Sequence, residues 1–165
     1  MTDKIQYDQT LEQFLAYLFG ILQIYRNAVP ILKAELDAIM EDDIETLNES
    51  LKSQQALLLR TRNFDDHAAD FLSGLGINAE NLTEAARQLP EEDGLRFFDL
   101  LGEFELIMTE VNYYKDKCRA LLQSKLYMID KTLSKLVIQK DNTTYDQNAS
   151  EIHGTLFPGS FETKI

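Results

Sequence analysis

The feature that most limits how this chain can fold is a series of apolar residues near its start. Leu11, Leu15, Leu18, Leu22, Tyr25, Val29, Leu32, Leu36 and Ile39 follow one another in alternating steps of four and three. That spacing is a heptad stripe. Wound at about 3.5 residues per turn, it keeps one face of a long helix against a neighbouring helix. Pro30 lies inside the stripe. Proline removes one amide from the helix ladder and crowds the carbonyl four residues back, here that of Arg26. The stripe keeps its phase across Pro30, so the spacing predicts one kinked helix over 8–40.

Asp42-Asp43-Ile44-Glu45 then reads as a restart. Asp42 is placed to cap the next helix, and Glu45 to reach back to it. The second helix is expected over 43–73, on a stripe of Ile44, Leu47, Leu51, Leu58, Ala68, Leu72 and Leu75. Gln54, Thr61 and Asp65 weaken its middle, and Gly74 and Gly76 fit its stop. Asn81-Leu82-Thr83-Glu84 carries another capping signature and opens a short helix to Leu89. Pro90, with Glu91, Glu92 and Asp93, suits a first helical turn. The third long helix is expected over 91–139. Its stripe is Phe97, Leu101, Phe104, Met108, Val111, Cys118, Leu122, Leu126, Ile129, Leu133 and Leu136, interrupted once by Lys115. The step from Leu122 to Leu126 is an extra four, which locally relaxes a supercoil. The fold class is therefore all-α: an elongated antiparallel three-helix bundle over 1–140, with a short connecting helix. Residues 141–165 form a C-terminal tail with no helical stripe.

Composition removes several functional classes. There are 28 Asp and Glu against 16 Lys and Arg, a net charge of −12. Nucleic acid and anionic membrane both call for a basic surplus. A single Cys excludes an internal disulfide. The most apolar stretch, Phe14 to Tyr25, is shorter than the ~20 residues of a membrane span and contains Gln23. Met1-Thr2-Asp3-Lys4 is not a basic leader followed by an apolar run. The expected location is the cytoplasm, without membrane insertion.

The candidate chemistry is thin. His67 and Asp70 share a helix face, but a bundle metal site needs Glu-x-x-His on two helices. Phe64 stands three residues before His67, and the other histidine, His153, lies in the tail. Cys118 falls on the apolar stripe of the third helix, where a thiol packs as a small apolar group. Glu41-Asp42-Asp43 and Glu91-Glu92-Asp93 sit where helices begin, so capping and the helix dipole account for them. No Gly-rich phosphate loop or serine elbow occurs. No catalytic, cofactor-binding or metal-binding residue is assigned, and the chain is not read as an enzyme.

Lengths carry the functional reading. At 1.5 Å per residue the first helix spans ~50 Å and the third ~70 Å. The third helix is tied to the second at its start, so its C-terminal end should overhang. Leu126, Ile129, Leu133, Leu136 and Val137 continue the apolar stripe there. Uncovered apolar surface marks an interaction site. The tail leaves from that end and carries Tyr145, Ile152, Leu156, Phe157 and Phe161. These ten residues are the candidate partner-binding set. The occupant is either another protein's amphipathic helix or a second copy of this chain, as in a homodimer or coiled-coil adaptor.

The run Leu36-Asp37-Ala38-Ile39-Met40-Glu41-Asp42-Asp43-Ile44-Glu45-Thr46-Leu47, followed by Leu51-Lys52-Ser53-Gln54-Gln55-Ala56-Leu57-Leu58, resembles the FlgN-type flagellar export chaperones. In that family a long helix ends in a short acidic turn. The next helix opens with Asp and an aliphatic residue, then carries a Lys/Gln-rich stretch before a leucine pair. The resemblance extends over roughly residues 8–150. It implies a small acidic cytoplasmic chaperone that binds hook-associated (hook–filament junction) proteins and delivers them to a flagellar type III export gate component. The cargo's amphipathic terminal helix would be held by the C-terminal part. The family's tyrosine after the last helix, associated with gate docking, matches Tyr145, while Ala149 stands where the family has glycine.

Overall fold

In the computed structural model, which describes residues 2–139, the first stripe is one unbroken helix, α1 (Thr2–Glu41). It begins six residues before the expected start, with Asp3 in its first turn, where an acidic side chain suits the positive end of the helix dipole. Pro30 lies inside it and faces solvent. Of the nine stripe residues, Leu15 and Leu36 are half-buried and the other seven are buried. Phe14, Ile21, Ile24 and Ala28 are buried as well. The buried face is wider than a heptad seam because α1 is covered from two sides.

The expected second helix is two helices, α2 (Ile44–Arg60) and α3 (Phe64–Gly74). Asn63 takes a left-handed conformation, φ 63°, and breaks the ladder between them. Asparagine tolerates that region better than most residues. The break lies within the weak middle of the stripe, beside Thr61 and Asp65. It lets α3 turn Phe64 and Phe71 toward α1. Phe71 stacks on Phe14 with ring centres 4.9 Å apart, and Phe64 stacks on Tyr17 at 6.0 Å. α3 ends as expected at a glycine: Gly76 has φ 70°, and the Ile77 amide donates back to the Leu72 carbonyl at 2.9 Å.

Two further expectations shift by one residue. The cap of α2 is Asp43, whose Oδ1 accepts from the Thr46 amide at 3.0 Å; Asp42 is left-handed, φ 58°. The face that α2 buries is Ser50 and Leu57, with Gln54 half-buried, while Ile44 is 65% exposed.

Asn81 caps α4 (Leu82–Gln88) by accepting from the Glu84 amide at 2.8 Å, and the Glu84 carboxylate accepts from the Glu80 amide at 2.9 Å. α4 packs closely on the start of α5 (Glu91–Gln139), which has the expected bounds. A Cβ at Gly94 would stand 2.9 Å from the Ala86 carbonyl oxygen, so the approach needs glycine there.

Polar contacts fix the helix directions. Tyr7 reaches Asp93, Glu12 reaches Arg96, Arg26 reaches Glu103 and Lys125 reaches Asp42, at sequence separations between 77 and 86 residues. A near-constant offset means that α1 and α5 run parallel. α2 and α3 return antiparallel to α1, with Gln54 against Glu35 and Phe71 against Phe14. The described residues thus form an all-α, up-down-up bundle whose middle arm is broken once. By length and composition α1 could cross a membrane, but its apolar residues Leu11, Phe14, Leu18 and Leu22 form the core of this bundle.

Candidate functional site

The root of the site is an ion pair. Lys125 Nζ lies 2.5 Å from Asp42 Oδ1 and 3.4 Å from the Met40 carbonyl oxygen, so α5 is fastened to the last turn of α1 at that level. α1 ends at Glu41, while α5 continues to Gln139. Fourteen residues at 1.5 Å each project about 20 Å past the root.

Every residue from Leu126 to Ile138 is exposed. Leu126, Ile129, Leu133 and Leu136 are 53–56% exposed, and Val137 is 71% exposed. They follow one another at helical spacing, in phase with the buried α5 residues Phe97, Leu101, Phe104, Met108, Val111 and Cys118. The face that meets α1 inside the bundle therefore continues past it without a cover among the described residues. Eight of these thirteen residues are large and apolar, since Tyr127, Met128 and Ile138 are exposed too. A helix apolar around most of its girth is normally enclosed by neighbours.

Sequence periodicity selected only the stripe and missed Tyr127, Met128 and Ile138. The available signal was the unbroken apolar run Leu126-Tyr127-Met128-Ile129, which no single helix face can hold. Lys131 Nζ sits 4.8 Å from the Tyr127 ring centre, a cation–π contact that shields part of that ring. The five tail candidates, Tyr145, Ile152, Leu156, Phe157 and Phe161, lie outside the described residues.

The chemically reactive residues lie elsewhere. Cys118 is 2% exposed, and its thiol pKa is pushed up to about 12, mainly by burial and secondarily by Glu35. A nucleophilic thiol needs the opposite shift. Glu35 is 1% exposed; burial raises its pKa, and a side-chain hydrogen bond from Gln54 offsets part of the rise. Its Oε1 has no hydrogen-bond partner among the described residues. His67 is exposed, with its ring 5.5 Å from that of Tyr17. No group of three or more His, Cys, Asp or Glu is disposed to hold a metal among the described residues. An open groove between α3 and the following connection is lined by Phe64, Ala68, Leu72, Ile77 and Leu82, with Asp65 and Glu80 at its polar side.

Neither a curated protein nor a solved structure matches the chain. A family model described as FlgN protein matches residues 1–151 of the 165. The projecting apolar helix end, the acidic bundle beneath it and this match over nine-tenths of the length lead to one assignment: the chain belongs to the FlgN family of flagellar export chaperones.

Proposed function

We propose that the projecting end of α5 receives the amphipathic terminal helix of a hook-associated flagellar protein, keeps it covered in the cytoplasm, and releases it at the export gate. The observation that carries this reading is the continuous exposure of Leu126 to Ile138, with eight large apolar side chains in thirteen residues. Water disfavours such a surface by roughly 25 cal/mol per Å² of apolar area, and a guest helix with its own apolar stripe relieves both partners at once. The same burial keeps the guest from pairing with copies of itself. The contact is about three to four turns long, so it stays short enough to be undone at handover.

Tyr145, Ile152, Leu156, Phe157 and Phe161 extend this apolar surface along the sequence. In this reading they form a second arm on the cargo, and Tyr145 meets the gate component, as the family resemblance implies. No catalytic step is involved.

The test is co-purification of a tagged chain with a co-expressed hook-associated protein. Ile129→Asp with Leu133→Asp should abolish capture while leaving helicity and melting temperature unchanged, since neither residue packs in the bundle. A chain ending at Lys140 should keep its helicity and lose most of the capture. Undiminished capture by the Ile129→Asp, Leu133→Asp chain refutes the reading.

A further inference from the structure

We infer that the guest of the projecting α5 end is an acidic amphipathic helix that continues the line of α1, with a carboxylate set against Lys135. This rests on the cargo reading above and adds the guest's charge and position.

Position follows from phase. The exposed stripe Leu126, Ile129, Leu133 and Leu136 extends the stripe that α1 covers lower down. A helix burying it occupies the track α1 would have filled had it run fourteen residues longer. The rim of that track is marked by α5 side chains standing immediately before stripe residues. Arg96 precedes Phe97, Glu103 precedes Phe104 and Glu110 precedes Val111. Each pairs across the seam with α1: Arg96 with Glu12 at 2.7 Å, Glu103 with Arg26 at 3.2 Å, Glu110 with Lys33 at 3.8 Å. In the projecting part the equivalent places, before Ile129 and Leu136, are Met128 and Lys135. Lys135 thus occupies the position that carries an inter-helix ion pair in the bundle, beyond the end of α1.

Charge follows from an imbalance along the chain. Residues 1–114 hold 22 Asp and Glu against eight Lys and Arg, net −14; residues 115–140 hold seven Lys and Arg against two Asp, net +5, of which +2 lies beyond Lys125; residues 141–165 hold four Asp and Glu against one Lys, net −3. The acidic body repels an acidic helix, and the distal part of α5 attracts it. Charge separation of this kind steers encounter and fixes orientation more than it adds affinity. Glu41 and Asp43 stand at the root, where Lys125 is engaged by Asp42. A guest carboxylate therefore belongs in an outer turn, over Lys135, with the root turn neutral or basic; Lys131, two residues after Ile129, stands on the face away from the stripe, over the Tyr127 ring. Asp130, on the opposite rim, disfavours a carboxylate on that side.

The test uses two amphipathic helical peptides that share one leucine heptad stripe, with glutamates flanking it in one and lysines in the other. Binding to the full chain is measured by fluorescence anisotropy at about 50 mM and about 500 mM NaCl. The glutamate peptide should bind about tenfold tighter at low salt, the gap should shrink at high salt, and Lys135→Glu should abolish it. Equal affinities, or a preference for the lysine peptide, overturn the inference. So does binding that appears only when residues 140–165 are deleted, which makes the chain's own tail the occupant. A dimer that Lys135→Glu dissociates makes a second copy the occupant and also overturns it. The cargo reading fails separately, if a hook-associated protein ignores the Ile129→Asp, Leu133→Asp change while the glutamate peptide is lost.

Discussion

Lys125 and Asp42 mark the level at which the bundle stops: their side chains meet at 2.5 Å, and no residue of α5 from Leu126 to Ile138 is even half-buried. Removing the projection should therefore cost the bundle little. A chain ending at Lys125 is expected to unfold within about 0.5 kcal/mol of the full chain, the range of surface changes that touch no core contact. Urea denaturation followed by circular dichroism measures this. A loss of several kcal/mol would mean that α5 beyond Lys125 is packed against the body.

Glu35 is a buried acid with one oxygen unpartnered among the described residues, and burial raises its pKa. A raised acid pKa means that the folded chain holds the proton more tightly than the unfolded chain. Its contribution is fully present below the unfolded value of about 4.3 and is lost as pH rises through the raised folded value. Glu35→Gln keeps a hydrogen-bonding partner for Gln54 and cannot ionise. It should stabilise the protein by about 1–3 kcal/mol at pH 8 and make no gain at pH 4. Asp43 and Glu12 act with the opposite sign. The Thr46 bonds lower the first and the Arg96 bond lowers the second, so their share is lost as pH falls. Melting temperatures of both chains between pH 4 and pH 8 check this; a wild-type curve that rises in parallel with that of Glu35→Gln would rule it out.

Phe14 is fully buried and touches two rings, Phe71 at 4.9 Å and Phe97 at 5.3 Å, which makes it the junction of α1, α3 and α5. Phe14→Ala should cost about 3–5 kcal/mol, transfer and cavity terms together. Equilibrium unfolding of the variant measures the loss. A cost near 1 kcal/mol would show that α3 closes into the gap.

Cys118 should be inert in the native chain. Burial suppresses thiolate formation, and its Sγ lies 3.7 Å from the Leu32 carbonyl oxygen on the neighbouring helix. At pH 8 a disulfide reagent should label less than one thiol in a hundred chains within the time that labels the unfolded chain completely, as expected for a thiol pKa near 12. Rapid native labelling would place the thiol in reach of solvent.

Much of this fold was legible as periodicity. The stripe from Leu11 to Ile39, the cap at Asn81 and the bounds of α5 follow from side-chain spacing and chemistry that act locally. The misses have local causes of another kind. A single left-handed residue, Asn63, divides the second helix, and stripe spacing does not register a backbone reversal that leaves apolar residues on either side. Asp42 and Asp43 are chemically alike, so side-chain chemistry does not distinguish them; the left-handed backbone at Asp42 leaves Asp43 as the cap, while Asp42 meets Lys125 from 83 residues away. Glu35 was hidden because a strict heptad names Leu36. In a helix of 3.6 residues per turn the buried face drifts from that repeat, and Glu35 is drawn under Gln54. The exposed end of α5 was visible as a mismatch of lengths. Its charge was not, because the overall value of −12 averages a strongly acidic body, a basic stretch over 115–140 and an acidic stretch over 141–165.

The central claim is that residues 126–138 of α5 are the seat of the guest helix. Amide hydrogen exchange of the full chain, alone and in complex with a hook-associated protein, tests it most directly. New protection concentrated in Leu126–Ile138, with the amides of α1 to α4 unchanged, is the predicted result. Protection that appears on α1 to α4 while Leu126–Ile138 exchanges as fast as in the free chain contradicts it.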